Sequence, residues 1–144
     1  MLARVSGLFA RRGFNIESLA VAPTDNDLFS RLTIVVDAES APIEQVVKQL
    51  NKLINVVEIQ ELSPEVSISR ELILATVQVA EGKEDQLMRE IESFEANVLS
   101  VGQQKIVVSL SGTPQTINEF ETILENYGII EVQRTGIIAL ATIA

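Results

Sequence analysis

The side chains available for chemistry are few in kind. The 144 residues contain no histidine and no cysteine. General acid–base work therefore falls to carboxylates, lysine or tyrosine. Thiol nucleophiles and a disulfide framework are excluded, as are zinc or non-haem iron sites built on His or Cys. Tyr127, Lys48, Lys52, Lys83 and Lys105 are scattered relative to any carboxylate pair, whereas a nucleophile needs an oriented base within hydrogen-bond reach. The pattern argues against an enzyme, and no cofactor motif stands out. No glycine loop for a nucleotide is present: the glycines of "SGLFARRG" lie within and after a helical pattern, not after a strand.

Binding residues are better represented. Arg11 and Arg12 could hold a phosphate, or could cap a helix end and face solvent. The side-chain amide of Asn15 can bond its own backbone, or offer donor and acceptor together to a zwitterionic ligand. Glu17, Asp25 and Asp27 could approach a divalent cation, but their spacing fits no calcium loop, and solvated turn carboxylates account for them. Glu81, Glu84 and Asp85 flank a helix start, where negative charge is favoured. Gly7, inside a helical pattern, indicates either close helix packing or the approach of a ligand or partner.

Elements that would position these residues follow from periodicity. "MLARVSGLFARRG" puts Leu2, Val5, Leu8 and Phe9 on one helical face and stops at Gly13. "FNIESLAVAP" reads as a strand, "PTDND" as a turn, and "LFSRLTIVVD" as the returning antiparallel strand. "SAPIEQVVKQLNKL" is a second helix, with Pro42 in its first turn and Ile43, Val46, Val47, Leu50 and Leu53 inward. "INVVEIQEL" reads as a strand, and "SPEVS" around Pro64 as a linker.

After the linker the order begins again. "RELILATVQV" is a strand and "KEDQLMREIESF" a helix with Leu87, Ile91 and Phe94 inward; "NVLSV" and "KIVVSLSG" form a hairpin about "GQQ". "TPQTINEFETILENYG" is a helix with Thr113 as N-cap, Pro114 as first helical residue and Gly128 as its stop. "IIEVQRTGIIAL" is the closing strand. The two halves form an internal repeat of about 70 residues. A βαββαβ unit places two helices on one face of a four-stranded sheet, and halves this small need extra burial from a partner domain or a second chain.

Composition narrows the partners. Hydrophobic residues make up 47%, ample for a core, and the formal charge is −9, which argues against nucleic acid because phosphates require basic neutralisation. The longest apolar runs fall well short of the roughly 20 residues needed to cross a bilayer, and the chain lacks the pattern of a secretory leader.

The string "GLFARRGFNIESLAVAPTDNDLFSRLTIVV", with "QLNKLINVVEI", "SRELILATV" and "IIEVQRTGIIAL", closely resembles the small, regulatory subunit of acetolactate synthase (acetohydroxyacid synthase), a member of the ACT-domain family. That resemblance implies an α+β protein of two tandem ferredoxin-like (βαββαβ) domains. The first, residues 1–63, would be an ACT domain lacking its first strand; 64–69 would be a linker and 70–144 the second domain. It implies a homodimer joined through the ACT domains, with a branched-chain amino acid, typically valine, bound where helix 1 of one subunit meets the second strand of the other. Asn15 matches the ligand-contacting asparagine, Ile16 lies beside it, and Leu2 and Ala3 sit in the first turn of helix 1. Thiamine diphosphate, magnesium and FAD belong by resemblance to the separate large catalytic subunit, which the small subunit activates and makes sensitive to feedback inhibition. A cytoplasmic or plastid location follows, and the rival reading is a stand-alone amino-acid-binding ACT sensor. Family members place a strand and an Asp/Glu-x-x-Gly type of loop before helix 1, whereas this sequence starts inside the helix. Loss of an interior strand should expose backbone groups along its neighbours. The closing "ALATIA" is expected to be an edge element or a frayed end.

Overall fold

The computed structural model describes residues 2–37 and 42–143. Met1, residues 38–41 and Ala144, including the Ser40 start assigned to the second helix, lie outside the described residues. The chain is α+β and divides into two compact units. The first comprises residues up to Ile68 together with Ala139 onward, and the second Ser69–Ile138.

In the first unit, helix α1 (Leu2–Arg12) buries Val5, Leu8 and Phe9, the spacing of one helical face. Leu2, expected on that face, is exposed. The helix ends in a Schellman turn. Gly13 has φ +72, the Gly13 N–H donates to the Ala10 carbonyl (3.3 Å), and the Phe14 N–H donates to the Phe9 carbonyl (2.9 Å). The rings of Phe9 and Phe14 meet edge-to-face at 5.6 Å, the apolar contact that accompanies this stop. Strand β1 (Ile16–Pro23) then pairs antiparallel with β2 (Ser30–Val36) from Ile16↔Val36 to Pro23↔Ser30. Helix α2 spans Ile43–Leu50, with Pro42 at its N-cap. Only Val46 of its stripe is fully buried, and Ile43 is exposed, since a two-stranded sheet offers a narrow surface to cover.

The second unit contains β3 (Ser67–Gln78), α3 (Glu84–Ser93), β4 (Asn97–Gly102), β5 (Lys105–Gly112), α4 (Pro114–Glu125) and β6 (Ile129–Arg134). Its strands lie in the order β4-β5-β3-β6, and the neighbours are antiparallel. Ile73, Ala75 and Val77 of β3 and Ile106, Val108 and Leu110 of β5 alternate inward. They pack on Leu87 and Ile91 of α3 and Ile117, Phe120 and Leu124 of α4, so both helices cover one face. Thr113 caps α4 by accepting from the Thr116 N–H (3.2 Å), and Pro114 opens the helix. Gly128 stops it with φ +102.

Three strand assignments change. "INVVEIQEL" forms no strand: residues 56–63 carry no ladder, and Ile54 and Val57 are 91% and 76% exposed. In the second unit the closing strand β6 pairs with the opening strand β3; no described strand holds the corresponding place in the first unit, and a strand without a partner has no hydrogen bonds to make. "IIEVQRTGIIAL" is broken into β6 and β7 (Ile138–Ala141). At the break Gly136 has φ +87, and the Thr135 hydroxyl accepts from the Leu72 N–H (3.0 Å) where a ladder carbonyl would otherwise serve. β7 pairs with β3 as an edge strand, continued by the Thr142 N–H donating to the Val66 carbonyl (2.8 Å). Finally, β3 begins at Ser67, within the stretch read as a linker, after a short 3-10 turn at Pro64–Val66.

Candidate functional site

The turn out of α1 delivers Asn15 to the head of β1. Gly13 permits the left-handed conformation, Phe14 anchors on Phe9, and the Asn15 carbonyl accepts from the Asp37 N–H just beyond β2 (3.1 Å). Asn15 is exposed and Ile16 half-buried, with Ile16 packed on the first unit's core. Leu2 and Ala3 are exposed at the opposite end of α1. Eleven helical residues put about 15 Å between the helix ends. One copy of the chain therefore does not bring Leu2 and Ala3 together with Asn15 and Ile16; a site using all four requires two copies.

The other candidates resolve into local structure. The 23–29 turn is closed by its own hydrogen bonds. The Thr24 N–H donates to the Phe29 carbonyl (3.0 Å), the Thr24 hydroxyl donates to the Asn26 carbonyl (2.9 Å), and Asn26 Oδ1 accepts from the Leu28 N–H (3.1 Å). Asp25 and Asp27 are exposed on it. Among the described residues no group of three or more His, Cys, Asp or Glu side chains could hold a metal ion. Glu84 and Asp85 occupy the first turn of α3, where the helix dipole favours them. Gly7 meets no crowding: a Cβ there would have one neighbour, Arg11 Nη1 at 3.5 Å.

A shallow cleft in the second unit is lined by Ala80, Lys83, Gln86, Glu90, Ile123, Asn126 and Tyr127. Burial raises the Tyr127 phenol above its ordinary pKa, and the charge of Glu90 adds to this while Arg89 opposes it. The Glu71–Arg134 pair was not singled out from the sequence. The Glu71 side chain is 3% exposed and is held by Arg134, which also reaches Glu121 Oε1 at 3.4 Å. The partners lie 63 residues apart. The available signal was the alternation that puts Glu71 in phase with Ile73, Ala75 and Val77.

Fold and candidate site together describe a small α+β protein of two units, with Asn15 exposed on the turn after α1. Residues 1–58 match the family model described as the AHAS small subunit-like ACT domain, and residues 70–143 match that of the small subunit of acetolactate synthase. The chain is 46% identical over 141 residues to the acetolactate synthase small subunit of Mycobacterium bovis, covering 98% of this chain and 84% of that one. It is 41% identical over 140 residues to a probable acetolactate synthase small subunit of Archaeoglobus fulgidus, covering 97% and 87%. The crystal structure of the Thermotoga maritima acetolactate synthase small subunit superposes with a TM-score of 0.88 at 32% identity, covering 99% of this chain and 89% of that one. The chain belongs to the acetolactate synthase small-subunit family, and so to a non-catalytic subunit type. No helix among the described residues is long and apolar enough to cross a membrane.

Proposed function

We propose that this chain is a regulatory subunit that binds and activates a large, thiamine-diphosphate-dependent acetolactate synthase subunit and makes it sensitive to feedback by a branched-chain amino acid, valine foremost. The supporting observation is that both halves match, in order, the two parts of the small-subunit family. On this reading the halves are tandem ferredoxin-like domains, residues 1–63 and 70–144, connected by 64–69 as the 3-10 turn and the first residues of β3, and the chain dimerises through the first.

The effector would lie between copies. Free amides at the first turn of α1, around Leu2 and Ala3, attract its carboxylate. Asn15 of the other copy accepts from its ammonium and donates to its carboxylate, and Ile16 lies beside the branched side chain. The need for two copies to gather these residues supports the arrangement. Hydrogen bonds to charged groups contribute about 1.5–3 kcal/mol, so Asn15→Ala should weaken valine binding about 10- to 100-fold while assembly with the large subunit survives. Titration calorimetry on the chain with its cognate large subunit tests this, alongside acetolactate formation with and without valine. A rate unmoved by the chain and untouched by valine would refute the function; a stand-alone sensor would bind valine and leave the large subunit alone. An unchanged valine affinity in Asn15→Ala would reduce Asn15 to a turn-former.

A further inference from the structure

Helix α1 is the one strongly basic element of an acidic protein. It carries Arg4, Arg11 and Arg12 and no acidic residue. With a chain total of −9, the remainder bears −9 − 3 = −12. Arg11 and Arg12 in the last turn are accounted for by the helix dipole; Arg4, eight residues before Arg12, is not. None of the three makes an ion pair among the described residues, where both ion pairs are made by Arg134. Arg4 and Arg11 are exposed and seven residues apart, hence on one face of the helix, with Gly7 beside them.

Gly7 is unexplained by the chain itself. It is not at positive φ, and a methyl group there would meet one side-chain atom at an ordinary contact distance. Alanine would fit and would form a better helix. A half-buried glycine beside two guanidinium groups that make no ion pair among the described residues suits a surface that comes close to the helix and bears carboxylates, each able to take a bidentate guanidinium. A second copy is a poor occupant, since a two-fold contact across this face would set guanidinium groups against each other.

We propose that the Arg4–Gly7–Arg11 face of α1 is a docking surface for a carboxylate-bearing segment of the large catalytic subunit. This rests on the function proposed above. An acidic partner is repelled by most of this molecule and attracted by this face, so the face sets the orientation of docking as well as adding affinity.

The test is association of the full chain with the large subunit across a salt series. Wild type should bind more weakly as salt rises. Arg4→Glu with Arg11→Glu should lower affinity at low salt by about tenfold or more and flatten the salt dependence. Lys48→Glu with Lys52→Glu, the same charge change elsewhere in the first unit, should stay within about twofold of wild type. Gly7→Ala supplies a signature that misfolding cannot imitate: an unchanged or higher melting temperature together with weaker binding. Equal binding by the arginine and lysine variants would overturn the face while leaving the function standing. Altered self-association in the arginine variant, with normal binding to the large subunit, would give the face to a second copy and overturn the proposal. A wild-type chain that never binds the large subunit would remove both the function and this surface.

Discussion

The two units use similar local grammar and differ, among the described residues, in how their strands pair and how much they bury. Each has a helix ended by a residue in the left-handed region, an antiparallel hairpin and a second helix entered through proline. In the second unit β3 lies between β5 and β6 and supplies three inward side chains, and eleven buried residues form one cluster. In the first, β1 and β2 pair only with each other, and four residues are fully buried. The contrast lies in strand pairing: β6 is held on β3, whereas among the described residues nothing pairs with the β-forming residues of "NVVEIQ". Strand formation is a property of a neighbourhood, and a segment's own composition supplies only half of it.

The largest expected effects test whether the units are energetically separate. Phe9→Ala removes the largest buried side chain of the first unit and should cost about 3–5 kcal/mol. Hydrogen exchange should then show loss of protection in α1, β1 and β2 while β3 and β5 keep theirs. Phe120→Ala should do the reverse. Loss across both units in either variant would mean that they unfold as one block, and the comparison would fail.

Next in size is the buried ion pair, found in the second unit alone among the described residues. Arg134→Met leaves the Glu71 carboxylate buried without its counter-charge and should cost about 3 kcal/mol. Urea unfolding followed by exchange at the amides of residues 73–77 would locate that loss. Glu71→Gln with Arg134→Met should recover much of it, because the second change then removes no charge partner.

The smallest effect contrasts the two helix stops. Gly13 ends α1 at φ +72, whereas Glu95 ends α3 at φ +58, with the Ala96 N–H donating to the Ile91 carbonyl at 3.0 Å in the same pattern. The left-handed region costs a side chain about 1–2 kcal/mol. Gly13→Ala should therefore lose about 1 kcal/mol and Glu95→Gly gain somewhat less, since glycine also has more freedom to lose on folding. Shifts in the urea midpoint at constant slope would measure both. Equal and null shifts would mean that the two stops are interchangeable.

Much was legible in advance where the determinants are local. The Gly13 and Gly128 stops, the Thr113 cap, the "GQQ" hairpin and the inward face of α3 all follow from residues within one turn or one strand of each other. The place of Asn15 just after the α1 stop follows from Gly13. The features decided only by the fold depend on residues far apart in sequence. Whether 54–62 forms a strand turns on what lies beside it. The break at Thr135–Gly136 depends on Leu72, whose N–H the Thr135 hydroxyl receives. Glu71 is stabilised by an arginine 63 residues away. The sequence by itself determined the local stops, caps and periodic faces, because short-range sterics and hydrogen bonds fix them. Tertiary structure alone decided which strands found partners and which charges were paired, because a ladder or a buried ion pair exists only when two distant segments are brought within about 3 Å of each other.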